Sequence, residues 1–235
     1  MNENLKIKEG LASLSDAVFI YMADIDHIDC NLHSDCITEA EATKAAAFWK
    51  ADDRKRFLSG RIMIKSILAK WIGGRPSQIK ICAGKNGKPV AVSDIAAAWL
   101  PHFNISHAGK RVAVAISDHP VGIDLEDIKK VDFAALAPSV FSENERQVFE
   151  QSEDPAFIFY KYWTSKEAFL KALGLGLVDD LQTIDISAGI DVSFAGQFTA
   201  DPLKLDFFRS GSYVGAVCYH AQKQLEFFDF KMPFL

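Results

Sequence analysis

The chain has 235 residues, of which 49% are hydrophobic and 24% are charged, and its formal net charge is -5. This composition predicts a globular protein with a complete apolar core, and it excludes a disordered or collagen-like chain. No apolar run approaches the roughly 20 residues that span a bilayer, and the polar N-terminus lacks the apolar segment of a signal peptide. The four cysteines form no Cys-x-x-Cys pair, which disfavours a zinc site and favours a reducing compartment. We therefore expect a cytoplasmic protein.

Charge is distributed unevenly along the chain. Residues 1–117 carry a balance of +4 and residues 118–235 a balance of -9, and the segment from Lys44 to Lys88 alone carries +10. A basic half suits an anion rich in phosphate, and an acidic half suits a hard cation such as Mg²⁺. Lysines on solvated helix faces would give the same count, so the asymmetry by itself names no ligand.

The first half predicts one buried strand, a broken helix and several short strands. Val18 to Ala23 is typical of a buried strand, and residues 38–72 have a helical periodicity that is interrupted near 51–53. The pair Gly73-Gly74 ends this helix. Further strands are predicted at 78–83, 89–91, 111–117 and 121–126, with a turn at 84–87 between the first two.

The second half repeats this order. Helices are predicted at 142–150 and 155–173, and strands near 183–186, 192–198, 203–209, 213–219 and 225–230. A shift of 102 residues places Gly109 on Gly211 and the apolar positions of strand 111–117 on those of strand 213–219. Chance agreement of apolar periodicity is the alternative to a true repeat. We predict an α+β fold of two pseudo-symmetric halves, residues 1–117 and 118–235, with a cleft between them.

The acidic motif Gly-Ile-Asp-Leu-Glu occupies residues 122–126. In a strand, Asp124 and Glu126 are two residues apart and point to the same face. Two neighbouring carboxylates repel each other unless a cation lies between them, and ligation by oxygen alone suits Mg²⁺. The alternative is a strand end from which both carboxylates point into solvent.

A second motif is a stripe on the helix predicted at 155–173. Trp163, Glu167 and Lys171 are spaced four residues apart and share one helix face. Glu167 and Lys171 are then either an ordinary surface ion pair, or the third carboxylate and a cation of a metal and phosphate site.

A third motif, from Phe103 to Gly109, is predicted as a tight turn. Its Asn104, Ser106 and His107 offer donors toward an anion, and its glycine permits close approach of the backbone. A lone histidine is more often structural than functional, so His107 gains weight only from its neighbours.

Taken in order, these motifs resemble the 4′-phosphopantetheinyl transferase superfamily, in its long surfactin-synthetase type. The matching stretches are Lys44 to Ile72, Gly87 to Pro89, Phe103 to His107, Gly122 to Glu126 and Trp163 to Lys171. The resemblance implies an enzyme that moves phosphopantetheine from coenzyme A to a serine of an apo acyl or peptidyl carrier protein and releases adenosine 3′,5′-bisphosphate. It also implies a monomer with its active cleft between the halves, the first binding coenzyme A and the second binding Mg²⁺ and supplying the catalytic residues.

The resemblance also implies roles for single residues. Asp124, Glu126 and Glu167 would bind Mg²⁺, and Lys171 would contact the phosphate chain as a catalytic cation. The residues implied to hold coenzyme A are Lys44, Arg56, Lys88, Pro89, Ser106, His107 and Lys171. Either Glu167 or Glu145 would act as general base, and the sequence does not choose between them. Glu41 stands where some relatives carry a basic residue, so a phosphate contact is not expected there.

Two other classes of function compete with this one. A non-catalytic module for carrier or coenzyme A binding is disfavoured because the acidic residues and Lys171 are all intact. Nucleic-acid binding through the basic stretch is disfavoured by the net charge of -5. We expect neither a nucleic acid nor a membrane as partner.

Overall fold

The computed structural model describes residues 14–95, 98–176, 180–190, 199 and 201–231. Within these residues the strands are β1 (Ala17–Asp24), β2 (Ile79–Ala83), β3 (Pro89–Ser93), β4 (His102–Ala108), β5 (Arg111–Ser117), β6 (Gly122–Asp127), β7 (Leu203–Ser210), β8 (Tyr213–His220) and β9 (Gln224–Asp229). The α-helices are α1 (Glu39–Ala46), α2 (Ala51–Trp71), α3 (Phe133–Val140), α4 (Glu143–Glu150) and α5 (Pro155–Leu173). Short 3₁₀ helices lie between several of them. No helix among these residues is both long enough and apolar enough to cross a membrane.

The strands form two main sheets and a separate two-stranded ribbon. The first sheet has the order β4-β5-β1-β9 and the second the order β6-β8-β7, while β2 pairs with β3 alone. Helix α2 packs on the first sheet and α5 on the second, and an apolar core fills each helix–sheet interface. The predicted α+β fold of two related halves is confirmed.

The internal repeat is visible in the strand registers. In the first hairpin, His102 of β4 pairs with Ser117 of β5. In the second hairpin, Lys204 of β7 pairs with Tyr219 of β8. Each residue of the second pair lies 102 positions after the corresponding residue of the first pair. The hairpin of β4 and β5 and the hairpin of β7 and β8 are therefore two copies of one unit.

The turns and the helix ends follow the same offset. Gly109 and Gly211 close the two hairpins with φ of 50° and 62°, a left-handed conformation that glycine adopts without strain. Helix α2 ends at Trp71 and α5 at Leu173, again 102 residues apart.

The halves meet where β4 lies beside β6. The backbone N–H of Ile123 donates to Asn104 Oδ1 at 2.9 Å, and that of Leu125 donates to Ser106 Oγ at 3.2 Å. The last strand crosses between the halves, because β9 pairs in parallel with β1 in the first sheet. A division of the chain at 117/118 therefore does not divide the sheets.

The structure differs from the sequence predictions at several elements. The segment predicted as a tight turn is strand β4, and the turn begins only at Gly109. The strand predicted at 183–186 is wrong: a 3₁₀ helix spans Leu181–Thr183, and the following residues pair with no strand among the described residues. Helix α3 was not predicted, and α2 begins at Ala51, after an interruption at 47–50. The strand predicted at 192–198 lies outside the described residues.

Candidate active site

Helix α5 packs directly against strand β6, and this contact brings the two acidic motifs together. It requires glycine at position 122, because a Cβ atom there would lie 2.0 Å from the carbonyl oxygen of Ala168. With the backbones this close, Asp124 from the strand and Glu167 from the helix lie within electrostatic reach. Burial raises the pKa of Glu167, and the negative charge of Asp124 is the second cause.

Asp124 is buried, and its two carboxylate oxygens have different surroundings. Oδ1 accepts hydrogen bonds from Ser106 Oγ at 2.9 Å and from the ammonium of Lys171 at 2.5 Å. Oδ2 is buried and has no hydrogen-bond partner among the described residues. Leaving a buried carboxylate oxygen unsatisfied costs free energy, so this atom is well suited to a bound cation.

Glu126 shares this electrostatic environment. Burial, and after it the charge of Asp124, raises the pKa of Glu126 to about 7, while Lys171 and a hydrogen bond from Trp163 oppose the shift. Carboxylates that are desolvated and close together resist ionisation. A divalent cation among them would favour their ionised form.

The donor set fits Mg²⁺, which prefers oxygen ligands. The ligand atoms of Asp124, Glu126 and Glu167 do not all lie within 4.8 Å of one another. Among the described residues, one group of three potential metal ligands is that close together, and it lies elsewhere in the molecule. Mg²⁺ commonly takes one or two carboxylates and completes its shell with water and phosphate oxygens. All three carboxylates can therefore contact one Mg²⁺ directly only after their side chains reorient, and water or phosphate oxygens would complete its shell.

A cavity of about 340 Å³ opens beside these residues, between the two halves. It is lined by Asn86, Gly87, Lys88, Pro89, Asn104, Ile105, Glu167, Lys171, Gly174 and Gly176. A second cavity of about 250 Å³ shares Gly87 and Pro89 with the first and continues toward Lys44 and Arg61. The two adjoining cavities form a groove whose first part carries Lys88, Glu167 and Lys171 and whose second part carries Glu41, Lys44 and Arg61.

Lys88 lies at the C-terminal end of α5. Its ammonium donates to the carbonyl oxygens of Lys171 at 2.6 Å, Val121 at 3.2 Å and Ala172 at 3.3 Å. A cation is favourable at a helix C-terminus, where carbonyl groups lack helical partners. Burial nevertheless lowers the pKa of Lys88 to about 8.

Ser106 and His107 lie on opposite faces of β4. Ser106 is buried and hydrogen-bonds to Asp124, whereas the ring of His107 is exposed. Enough protein surrounds that ring to lower the pKa of His107, and the charges of Arg56 and Lys171 add to the effect. The structure thus separates two neighbours that the sequence analysis had grouped together.

Of the other two predicted basic residues, Lys44 lines the second cavity, whereas Arg56 lines neither cavity. Arg56 donates from Nη1 to the carbonyl oxygen of Gly109 at 2.6 Å and pairs with Asp53. Lys44 is exposed, with its ammonium 5.4 Å from the ring centre of Phe57.

Glu145 makes its contacts away from the three carboxylates of Asp124, Glu126 and Glu167. It is fully buried and completes a capping box at the start of α4, where its Oε2 accepts from the backbone N–H of Ser142 at 2.9 Å. The same oxygen lies 2.5 Å from the ammonium of Lys166, and Oε1 accepts from the N–H of Ile186 at 2.9 Å. Its sequence signal is the pattern Ser-x-x-Glu, which is typical of a helix N-terminus.

The sequence analysis named Asn104 and Trp163 but missed their roles: Asn104 joins β4 to β6, and Trp163 hydrogen-bonds to Glu126. It missed Lys166, which neutralises Glu145. Only Trp163 has a sequence signal for this role, since it shares a helix face with Glu167. Asn104 and Lys166 act through partners that are distant in sequence.

Two family profiles match the chain in succession. Residues 27–119 match the profile described as 4′-phosphopantetheinyl transferase, N-terminal, and residues 120–218 match that of the 4′-phosphopantetheinyl transferase superfamily. The 4′-phosphopantetheinyl transferase HetI of Nostoc is 32% identical over 184 residues, which are 76% of this chain and 77% of HetI. The transferase psf-1 of Bacillus pumilus is 39% identical over 53% of this chain and 52% of its own length. The transferase Sfp of Bacillus subtilis is 30% identical over 64% of this chain and 66% of its own length.

The two matched profiles follow each other along the chain and together cover residues 27–218. The chain belongs to the 4′-phosphopantetheinyl transferase superfamily, and within it is similar to the type represented by Sfp. It is a phosphopantetheinyl transferase, as the ordered motifs predicted.

Proposed function

We propose that this protein transfers phosphopantetheine from coenzyme A to a serine hydroxyl of an apo acyl or peptidyl carrier protein, with Mg²⁺ as cofactor. The observation that carries the proposal is the groove between the halves, which holds Glu167 and Lys171 beside the unpartnered Oδ2 of Asp124. A groove with carboxylates beside Lys171, and with further cations along its length, suits a metal-bound diphosphate with further anionic groups.

The reaction forms a bond between the serine oxygen and the β-phosphorus of coenzyme A. It breaks the bond from that phosphorus to the bridging oxygen and releases adenosine 3′,5′-bisphosphate. Asp124, Glu126 and Glu167 would hold Mg²⁺, which when bound withdraws negative charge from the diphosphate. Lys171 lies beside them and places a positive charge where negative charge develops on the leaving phosphate.

The serine proton requires an acceptor, and the structure favours Glu167 over Glu145. Glu167 lines the cavity, so its carboxylate is accessible to a bound substrate. Both oxygens of Glu145 already accept hydrogen bonds, and its side chain is inaccessible.

The adenosine end of coenzyme A would extend from Glu167 past Gly87 and Pro89 toward the basic residues of the first half. Lys44, Lys88 and His107 would contribute to binding of the 3′-phosphate and the diphosphate, and Arg56 would support the turn at Gly109 beside them. We also propose that the protein acts in the cytoplasm as a monomer, since one chain supplies all the groups of the site and its cysteines are free.

The test is mass spectrometry of a panel of apo acyl and peptidyl carrier proteins incubated with the enzyme, coenzyme A and Mg²⁺. At least one carrier should gain the mass of phosphopantetheine, and a chelator should prevent the gain. Asp124→Ala should lose more than about nine tenths of the rate while folding normally, because a metal ligand is lost but little core volume. Asp94→Ala, at an exposed position, is the control. No mass gain on any carrier, or full activity of Asp124→Ala, would contradict the proposal.

A further inference from the structure

A second group of ligating side chains lies outside the groove. The group consists of His119, Asp201 and His220, each of which offers one ligand atom within 4.8 Å of the ligand atoms of the other two. Among the described residues, this is the one group of three potential metal ligands that lie so close together. His119 Nδ1 is 3.4 Å from Asp201 Oδ2, and the ring centres of the two histidines are 4.4 Å apart. All three side chains are half-buried.

Three separate chain segments supply this group, and backbone contacts fix each of them. His119 lies in the connection between β5 and β6, where its N–H donates to Ser117 Oγ at 3.2 Å. His220 is the last residue of β8, and the next N–H, of Ala221, donates to the carbonyl oxygen of Pro202 at 2.7 Å. Asp201 directly precedes that proline. The group therefore joins the connection between the halves to the β7–β8 hairpin.

Charged side chains of both signs lie around the group. Asp118 is neutralised by an ion pair with Lys223 at 2.7 Å. Burial, and after it the charges of Lys88 and His119, lowers the pKa of His102, while Asp118 and Asp201 act in the opposite direction. His102 thus lies within electrostatic range of His119 and Asp201.

We propose that His119, Asp201 and His220 form a second metal site, for one transition-metal ion of the Zn²⁺ type. Two imidazole nitrogens and one carboxylate oxygen suit Zn²⁺ and its neighbours, whereas Mg²⁺ prefers oxygen ligands alone. Three protein ligands leave one tetrahedral position, which water can reach because the side chains are half-buried. The ion would cross-link the connection between the halves to the second sheet and stabilise the fold.

The test is titration of the chelator-treated full chain with Zn²⁺ by calorimetry and with Co²⁺ by visible absorption. The wild-type protein should bind one equivalent that excess Mg²⁺ does not displace, with a rise in melting temperature. His119→Ala and His220→Ala should each weaken binding at least about tenfold and abolish that rise, because a ligand is lost. His27→Ala, at an exposed histidine elsewhere, should bind like the wild type.

The Asp124→Asn variant separates this site from the groove, because it alters the carboxylate group and should keep Zn²⁺ binding intact. Circular dichroism and melting in the absence of metal establish that each variant folds. The proposal is overturned if the wild-type protein binds no Zn²⁺, if both histidine variants bind like the wild type, or if binding disappears in Asp124→Asn.

Discussion

Glu145 and Lys166 form an ion pair with an N–O distance of 2.5 Å, and neither side chain is exposed to solvent. The ammonium of Lys166 also donates to the carbonyl oxygens of Val140 at 2.6 Å and Leu181 at 3.0 Å. The pair therefore links the start of α4 to the middle of α5. Since α5 also carries Glu167, this link positions the helix that faces the groove.

The first half contains a counterpart of this pair. Glu41 completes a capping box with Thr38 at the start of α1, and its Oε2 lies 2.5 Å from the buried ammonium of Lys65 on α2. Lys65 also donates to the carbonyl oxygen of Cys36 at 2.8 Å, as Lys166 does to that of Val140. The acidic residue at position 41 thus has a structural partner within its own half.

We predict that Glu145→Gln lowers the free energy of unfolding by about 3–5 kcal/mol, because it leaves the buried charge of Lys166 unpaired. Urea unfolding measures the effect. The control is Glu143→Gln on the same helix, whose pair with Arg146 is exposed and should be worth less than about 1 kcal/mol. A Glu145→Gln protein of normal stability that no longer transfers phosphopantetheine would instead support a role as general base.

We predict that Ser106→Ala weakens both the seam between the halves and the acidic site. The variant loses the donor to Asp124 and leaves the N–H of Leu125 without its acceptor, so stability should fall by about 1–3 kcal/mol. Calorimetry should also show about tenfold weaker Mg²⁺ binding, because Ser106 orients a ligand. In the control, Ser139→Ala, an exposed hydroxyl is removed and little change is expected. Unchanged stability together with unchanged Mg²⁺ affinity would argue against this contact.

We predict that Lys88 makes stability depend on pH above neutrality. Burial lowers the pKa of Lys88 to about 8, so above that pH the unfolded chain holds this proton and the folded chain releases it. The contribution of Lys88 to the free energy of unfolding should therefore rise as the pH increases above about 8, by at most about 1.4 kcal/mol per pH unit. The free energies of unfolding of the wild type and Lys88→Met, compared at several pH values from 7 to about 10, isolate this contribution. A constant difference would mean that the ammonium is not desolvated.

The sequence predicted the repeat because glycine turns and apolar strand positions recur at one offset in both halves. It did not predict strand β4, because Asn104 and Ser106 are polar residues typical of turns. In the structure both are buried, since their side chains accept hydrogen bonds from the backbone of β6. The need for polar acceptors at these two positions comes from β6, about twenty residues further along the chain. Local sequence patterns do not reveal such a distant partner.

The carboxylate group was predicted better than the surroundings of Glu145. Asp124 and Glu167 stand in motifs whose order is informative, whereas the role of Glu145 depends on Lys166, in a different helix. The strand predicted at 183–186 failed for a related reason: Ile184 and Ile186 are buried in the core of the second half, and apolar alternation reports burial, not strand pairing.

The pairing of β9 with β1 bears on how the chain folds during synthesis. Until residues Gln224 to Asp229 have left the ribosome, β1 is the exposed edge strand of a three-stranded sheet. Its free backbone groups can then pair with other chains. Among the described residues, the first strand is thus completed by the last. A separately expressed fragment of residues 1–117 lacks β9 and should therefore be less soluble than the whole chain.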